Sequence, residues 1–523
     1  MAVLSSLRGL ALLGLAATTA LAEPRVLHMP MARNANHPGP LAKRAGDTAN
    51  TAQVTVVNDV SYGLYYVNAT VGTPGQELSL ILDTGSSDVW FFGTGACAAS
   101  TQSQGDCFGG EYNDKKSSTY KLLDKGTFQI QYGTNGSNVE GDYIADTFTV
   151  GGATVKNAIM AVAYEVSEVP AGIMGVGFAS NEAIVGDGGK AYKSIVDKMV
   201  SEGVISTKAY SLWLNDLFSS SGNCLFGGYD TKKFSGNLLS VPIQPDAQTD
   251  ELTSMTVAWT SLQLSTGDSA KSITSSSFKE PALLDSGTTL SIIPAQIYEE
   301  LHSFFEAQDD GVGNALVECA KLNDAQGTLD FQFGGSKGPV IKVPFSEFAL
   351  PAITTAGTWY QYEDGSYACT LGMQPQTEGI PVILGDTFLR SAYVVYDLDN
   401  FEISLAQTVF NTTETEIVEI SKAKPVASVV SGVVATQTAT SGGVAPGDGG
   451  SGSDGSSGTS FPTATAGASE SNGLGDISSL PTATSSSSDG GNAGATVHVP
   501  GLLLSLQAAG LSMIIGGALF SLA

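Results

Sequence analysis

Between about Thr51 and Gln407, short apolar or alternating runs rich in Val, Ile, Tyr and Thr are separated by clusters of Gly, Asn, Asp and Ser. That texture predicts a mostly β protein. Tyr65-Tyr-Val-Asn-Ala-Thr-Val, Thr127-Phe-Gln-Ile-Gln-Tyr and Tyr393-Val-Val-Tyr-Asp-Leu read as strands. Helical periodicity is scarce, with candidates at Tyr192 to Glu202 and Ala295 to Ala307, one in each half. Two apolar runs end in the same polar signature: Leu80-Ile-Leu-Asp83-Thr84-Gly85-Ser86-Ser87 and Ala282-Leu-Leu-Asp285-Ser286-Gly287-Thr288-Thr289. Each half later has an apolar run closing on Gly, at Gly175 and Gly385. The Asp pair is 202 residues apart and the Gly pair 210 apart, so the halves read as a duplicated lobe with its boundary near 235–250.

The pattern changes at both ends. Arg8, the apolar stretch Gly9 to Thr18 and Ala20-Leu-Ala22 form a secretory signal over residues 1–22, rather than an uncleaved membrane anchor. Lys43-Arg44 then reads as a dibasic site, cut after Arg44 by a processing protease, which makes 23–44 a prosegment. The lobes follow at 45–240 and 241–411. Residues 412–491 turn to Ser, Thr, Gly, Ala and Pro, a composition that buries too little to offset chain entropy. They read as an O-glycosylated stalk or a bare linker. Small residues around Asn492, a spacer and the apolar Leu502 to Ala523 match a glycolipid (GPI) anchor signal over 492–523, with Asn492 as attachment residue. A retained transmembrane helix is the alternative, but it would normally carry Lys or Arg on its cytoplasmic side.

Charge narrows the partners. The formal net charge is −27, and falls to −31 without the first 44 residues, which carry five basic residues and one acidic residue. Nucleic acid is excluded as a partner, because a phosphate backbone needs cationic contacts. Such a chain repels itself less in acid, where carboxylates protonate, which fits an acidic working environment. The four histidines are His28, His37, His302 and His498; only His302 falls outside the terminal segments, so a multi-His metal site is ruled out. His302 itself reads as an ordinary helix residue. Of five cysteines, Cys97 with Cys107 and Cys319 with Cys369 make the natural pairs, leaving Cys224 as a buried thiol. Five cysteines do not fix connectivity by themselves.

One Asp-hydroxyl-Gly segment usually marks a turn or a helix N-cap. Two copies in corresponding places bring one carboxylate from each half to a common point. Asp83 and Asp285 would share a proton and activate water, with no metal or cofactor. Gly85 and Gly287 allow close approach of the loops. Thr84 and Ser286 would bond across to the opposite loop, while Ser86 and Thr288 donate to the outer carboxylate oxygens.

These motifs resemble those of pepsin-type aspartic endopeptidases over roughly residues 60–410. Trp90 lies seven residues after Asp83, as in that family, and Ile130-Gln-Tyr132-Gly133-Thr134 resembles its flap, a hairpin over bound peptide. Val395 to Ala406 resembles the last strands of the fold. The resemblance implies a bilobal pepsin-like fold with the cleft between the lobes, a Tyr132 hydroxyl bonded to the Trp90 indole, protein or peptide substrates, and a monomer. Prosegment, stalk and anchor signal together resemble fungal yapsins and candidapepsins. Many such relatives carry Asp where Thr134 stands, so general endopeptidase activity with at most a secondary basic preference is implied. The alternative from another class is a catalytically silent wall glycoprotein or adhesin on the same fold. Asn68, Asn135 and Asn411 head N-glycosylation sequons, with Asn411 the best candidate for occupancy and Asn135 at the flap tip.

Overall fold

The computed structural model describes residues 64–427, apart from 100–108, 133–136, 168, 220, 247–249, 312, 324, 355–357, 378 and 422–425, together with the backbone of Leu27–Arg33. The signal segment, Lys43-Arg44, the apolar tail and Asn492 lie outside the described residues, as do Cys107, Gly133, Thr134 and Asn135.

The apolar run before Asp83 forms the buried strand Gln76–Asp83. It pairs antiparallel with Tyr65–Val71 and parallel with Gly172–Gly175, where Asp83 faces Gly175. Val89–Phe92 then pairs antiparallel with the same Gly172–Gly175 segment. The second half repeats this crossed arrangement. Glu280–Leu284 runs parallel to Val382–Leu384, which also pairs with Ser291–Ile293 in the antiparallel sense. The two Gly-closed runs are therefore the counterpart strands, as the spacing suggested. A Cβ on Gly385 would lie 2.3 Å from the Thr288 carbonyl oxygen, and one on Gly175 would lie 2.7 Å from the Ser87 backbone. Only glycine admits the crossing loops so closely.

A 13-stranded sheet spans the first half and continues into a floor under both lobes, made of Phe234–Pro242, Glu402–Thr408, Ala392–Asp397, Ala209–Trp213 and Ser221–Phe226. Leu27–Arg33 completes it, lying between Ser221–Phe226 and Tyr65–Val71. The second half adds an eight-stranded and a four-stranded sheet. Helices are few and short. Ile195–Ser201 starts with a Ser194/Asp197 capping box, and Ala295–Phe304 buries Ile297, Tyr298 and Leu301. Both match the two helical candidates.

Alternation along the floor strands gives it two different faces. Val394 and Tyr396 join Tyr210, Leu212 and Cys224 in the main core, on the side of the two Asp loops. Tyr393 and Val395 point the other way and cluster with Ala209, Trp213 and Ile420. Ile420 belongs to a strap that follows the last floor strand. Within it, Ile417–Glu419 pairs with Gly228–Asp230, and Asp230 accepts from the Glu416 backbone at 2.7 Å and the Thr415 hydroxyl at 2.5 Å. Lys233 lies 4.2 Å over the Trp213 ring and donates to the Thr412 carbonyl. The attached chain thus runs on to Ile420, past the composition change at Thr412. Cys319 and Cys369 are joined, with Cα atoms 4.9 Å apart; Cys97 is disulfide-bonded, and Cys224 is a buried free thiol.

Candidate active site

Asp83 ends one buried strand and Asp285 follows another, and neither side chain is exposed to solvent. Each carboxylate is oriented by its own loop. Asp83 Oδ1 accepts from the Gly85 N–H at 2.8 Å, and its Oδ2 accepts from the Ser86 hydroxyl. In the second loop, Asp285 Oδ1 accepts from Gly287 N–H at 2.8 Å and Oδ2 from the Thr288 hydroxyl at 2.6 Å. The loops are also locked to each other. Thr84 donates its hydroxyl to the Leu284 carbonyl at 2.8 Å and accepts from the Ser286 N–H at 3.0 Å. Ser286 reciprocates, donating to the Leu82 carbonyl at 2.7 Å and accepting from the Thr84 N–H at 3.3 Å. A Cβ on Gly287 would stand 2.5 Å from Asp83 Oδ1 and 3.2 Å from Asp285 Oδ1. Any larger residue there would occupy the ground between the carboxyls.

The electrostatics follow from this geometry. Burial, the Asp285 charge and a hydrogen bond to Asp285 hold Asp83 well above the usual carboxylate range. Asp285 is also raised by burial, but hydrogen bonds from Asp83, Thr288, Gly287 and Gly85 work against the rise. Two buried carboxyls that hydrogen-bond to each other and are both raised titrate as one coupled pair. Aspartic proteases are the reference case for this coupling.

The comparisons place the arrangement. Residues 64–408 match the model of the family described as eukaryotic aspartyl protease. The chain belongs to that family of aspartic-type endopeptidases. It is 39% identical to a probable aspartic-type endopeptidase OPSB of Arthroderma benhamiae over 383 residues, covering 73% of this chain and 75% of that one. Secreted aspartic protease 6 of Candida albicans is 36% identical, covering 68% and 79%. Aspartic proteinase yapsin-3 of Saccharomyces cerevisiae is 33% identical, covering 74% and 73%.

In this protease the segment that resembles the family's flap belongs to the hairpin of Lys121–Tyr132 and Ser137–Val150, with Tyr132 opposite Ser137 at its described end. The Trp90 indole N–H donates to the Tyr132 hydroxyl at 2.7 Å, and the rings stack 6.5 Å apart. Burial, then the Asp83 charge, raises the Tyr132 phenol well above its ordinary value, so it stays protonated. His302 sits on Ala295–Phe304 beside Tyr298 and 3.3 Å from Asp309, and takes no part in the hydrogen bonds of the dyad. Among the described residues no group of His, Cys, Asp and Glu could hold a metal ion.

Sequence reasoning missed the floor beneath the dyad. The Tyr396 hydroxyl donates to the Leu284 carbonyl at 3.3 Å, and its ring stacks on Tyr210 at 5.0 Å. Alternation within Val394-Val-Tyr-Asp could have turned Tyr396 inward, but nothing local shows what it meets. It also gave no role to Asp88 and Glu182, which Tyr192 links by hydrogen bonds.

Proposed function

We propose that this protease cleaves peptide bonds by water activation on Asp83 and Asp285, works in acid, and reaches the cell surface through the secretory pathway. The observation that carries the mechanism is the meeting of two buried carboxyls on interlocked loops, which favours a single proton held between them. The ionised carboxylate takes a proton from a substrate water as the hydroxyl adds to the scissile carbonyl. The protonated partner gives its proton to the carbonyl oxygen, forming a neutral gem-diol. Collapse of the diol returns a proton to the leaving nitrogen and breaks the C–N bond. Tyr132 would close over the peptide and exclude water.

Cleavage of a denatured protein at about pH 4, blocked by a statine-type transition-state analogue, tests the reading. A folded, secreted protein that cuts nothing under those conditions would favour a silent glycoprotein on the same fold. Tyr132→Phe should lower kcat/KM about tenfold, roughly the worth of one buried hydrogen bond. An unchanged kcat/KM would remove Tyr132 from the site.

The surrounding sequence supports the route. The signal segment, Lys43-Arg44, the Ser/Thr-rich stretch and the apolar tail favour a prosegment-bearing, monomeric enzyme with a stalk and a GPI anchor at the plasma membrane or wall. The acidic balance leaves room for a preference for basic residues. Release from cells by a phosphatidylinositol-specific phospholipase tests the anchor.

Glycan occupancy follows exposure. Asn68 is a half-buried strand residue whose Oδ1 accepts from Ser79, whereas Asn411 is exposed at a left-handed backbone position. Asn411→Gln should remove one glycan's mass from the secreted protein, and Asn68→Gln none.

A further inference from the structure

A second pair of buried carboxyls lies behind the flap, and the dyad chemistry does not use it. Asp88 follows the Asp83–Ser87 loop, and Glu182 precedes the short turn Ala183–Gly186; both are at most 2% exposed. Asp88 Oδ2 accepts from the Ala183 N–H at 2.8 Å, and Oδ1 accepts from the Tyr192 hydroxyl at 2.6 Å. Glu182 Oε2 accepts from the Tyr192 backbone N–H at 2.7 Å, while its buried Oε1 has no hydrogen-bond partner among the described residues. Tyr192 therefore ties the two acids together.

The same tyrosine reaches the flap. Its ring meets Tyr143 edge-on at 6.1 Å, and Tyr143 meets Phe128 edge-on at 5.3 Å. Phe128 and Tyr143 stand on the two strands of the flap hairpin, below its tip. A continuous set of contacts thus runs from the loop after Asp83, through Asp88 and Tyr192, to the root of the flap.

We propose that Asp88 and Glu182, joined through Tyr192, are positioning residues that hold the flap stem while protonated and release it when they ionise, limiting the pH range over which the folded enzyme survives. The groups facing them add no positive charge. From the flap strands come Tyr132 and Tyr143, from the intervening loop Asp187 and Tyr192, and from Ile195–Ser201 Asp197. Asp83 approaches from the dyad side, through Tyr132. Asp197 lies 3.5 Å from Lys208, but no Lys, Arg or His among the described residues forms an ion pair with Asp88 or Glu182.

Burial pushes Asp88 up to about 6 and Glu182 up to about 9, and Asp88 adds to the rise of Glu182. Both values lie above those of an unfolded chain. The stability they contribute is therefore complete below about pH 4 and is lost as pH rises through 6 for Asp88 and towards 9 for Glu182. An ionised carboxylate in this apolar surround draws water in or pushes its neighbours apart. The nearest neighbours to give way are Tyr192 and the flap stem.

Survival after alkaline exposure cancels reversible titration of the dyad, and variants of the pair then report its own share of the loss. Protein is held between about pH 5 and pH 9, returned to about pH 4 and assayed against its own unexposed activity. Asp88→Asn and Glu182→Gln should each move the half-survival point upward, by about one pH unit. Tyr192→Phe, which keeps both charges, should lower survival without an upward move. Unmoved midpoints in both charge-removing variants would overturn the proposal. Wild-type amide exchange, corrected for intrinsic rates, gives a test independent of variant folding. Between pH 5 and 8, protection should fall first in 128–132, 137–143 and 183–192. Uniform loss over both lobes, or earlier loss elsewhere, would also overturn it. Neither test depends on anchorage or on the identity of the substrate.

Discussion

Asp83→Asn is expected to fold, bind a statine-type analogue weakly and cut denatured protein about 10⁴-fold more slowly, the upper range for loss of a general acid–base group. Asp285→Asn should be equally damaging, and the double variant scarcely worse than either, because the carboxyls act as one unit. Wild-type kcat/KM should fall on both sides of an acidic optimum. Rising pH removes the shared proton and with it the acid; falling pH protonates the second carboxyl and removes the base. The asparagine variant should lose this bell shape. Because burial and Asp285 raise the Asp83 carboxyl, folding loses stability as pH rises through its folded value. Asp83→Asn should therefore melt higher than wild type near neutrality while remaining inactive. Undiminished cleavage by this variant would end the two-carboxylate mechanism.

Arg390→Met carries the largest expected stability loss. Arg390 is fully buried, and its guanidinium donates to the carboxylate and the backbone carbonyl of Glu347. Burial works against the charge, and the Glu347 carboxylate, with smaller help from Tyr65 and Asp386, outweighs it. Removing the cation strands Glu347 at 5% exposure, which costs about 3–5 kcal/mol. Adding Glu347→Gln should recover much of that loss, a coupling that denaturant titration of the four proteins measures. The damage should extend to catalysis. Arg390 closes the turn Asp386–Leu389, whose Asp386 N–H donates to the Thr288 carbonyl at 2.9 Å beside the dyad. If Arg390→Met alone proves neutral, the buried pair contributes nothing to folding.

The dyad was legible because its chemistry is local. An apolar strand, an Asp, a hydroxyl and a Gly lie within a few residues of one another, and duplication supplies the partner. Thr84 and Ser286 could be given cross-loop roles for the same reason. Tyr132 and Trp90 needed resemblance as well, since an aromatic on a strand is ordinary core in most proteins. Asp88 and Glu182 were invisible. They lie far apart in sequence, and nothing in Ser87-Asp-Val or Asn181-Glu-Ala tells a buried acid from a surface one. Their meeting depends on Tyr192, ten residues beyond Glu182, and on the packing of the flap. The strap was hidden differently. Ile417, Val418 and Ile420 sit in a run of Thr and Glu whose average character is that of a solvated tail, and a composition average erases a short edge strand.

The two faces of the floor give the enzyme a front and a back. Tyr396 and Tyr210 look towards the Asp loops, while Tyr393, Val395 and Trp213 receive Ile420. Whatever continues the chain beyond Ile420 starts from the back, pinned by Asp230 and Lys233. A protein hung from a membrane by that end would be held from the face away from its Asp loops, so the tether would leave them open to the medium. Its choice of substrate would then depend on which way the molecule faces as well as on what its subsites accept.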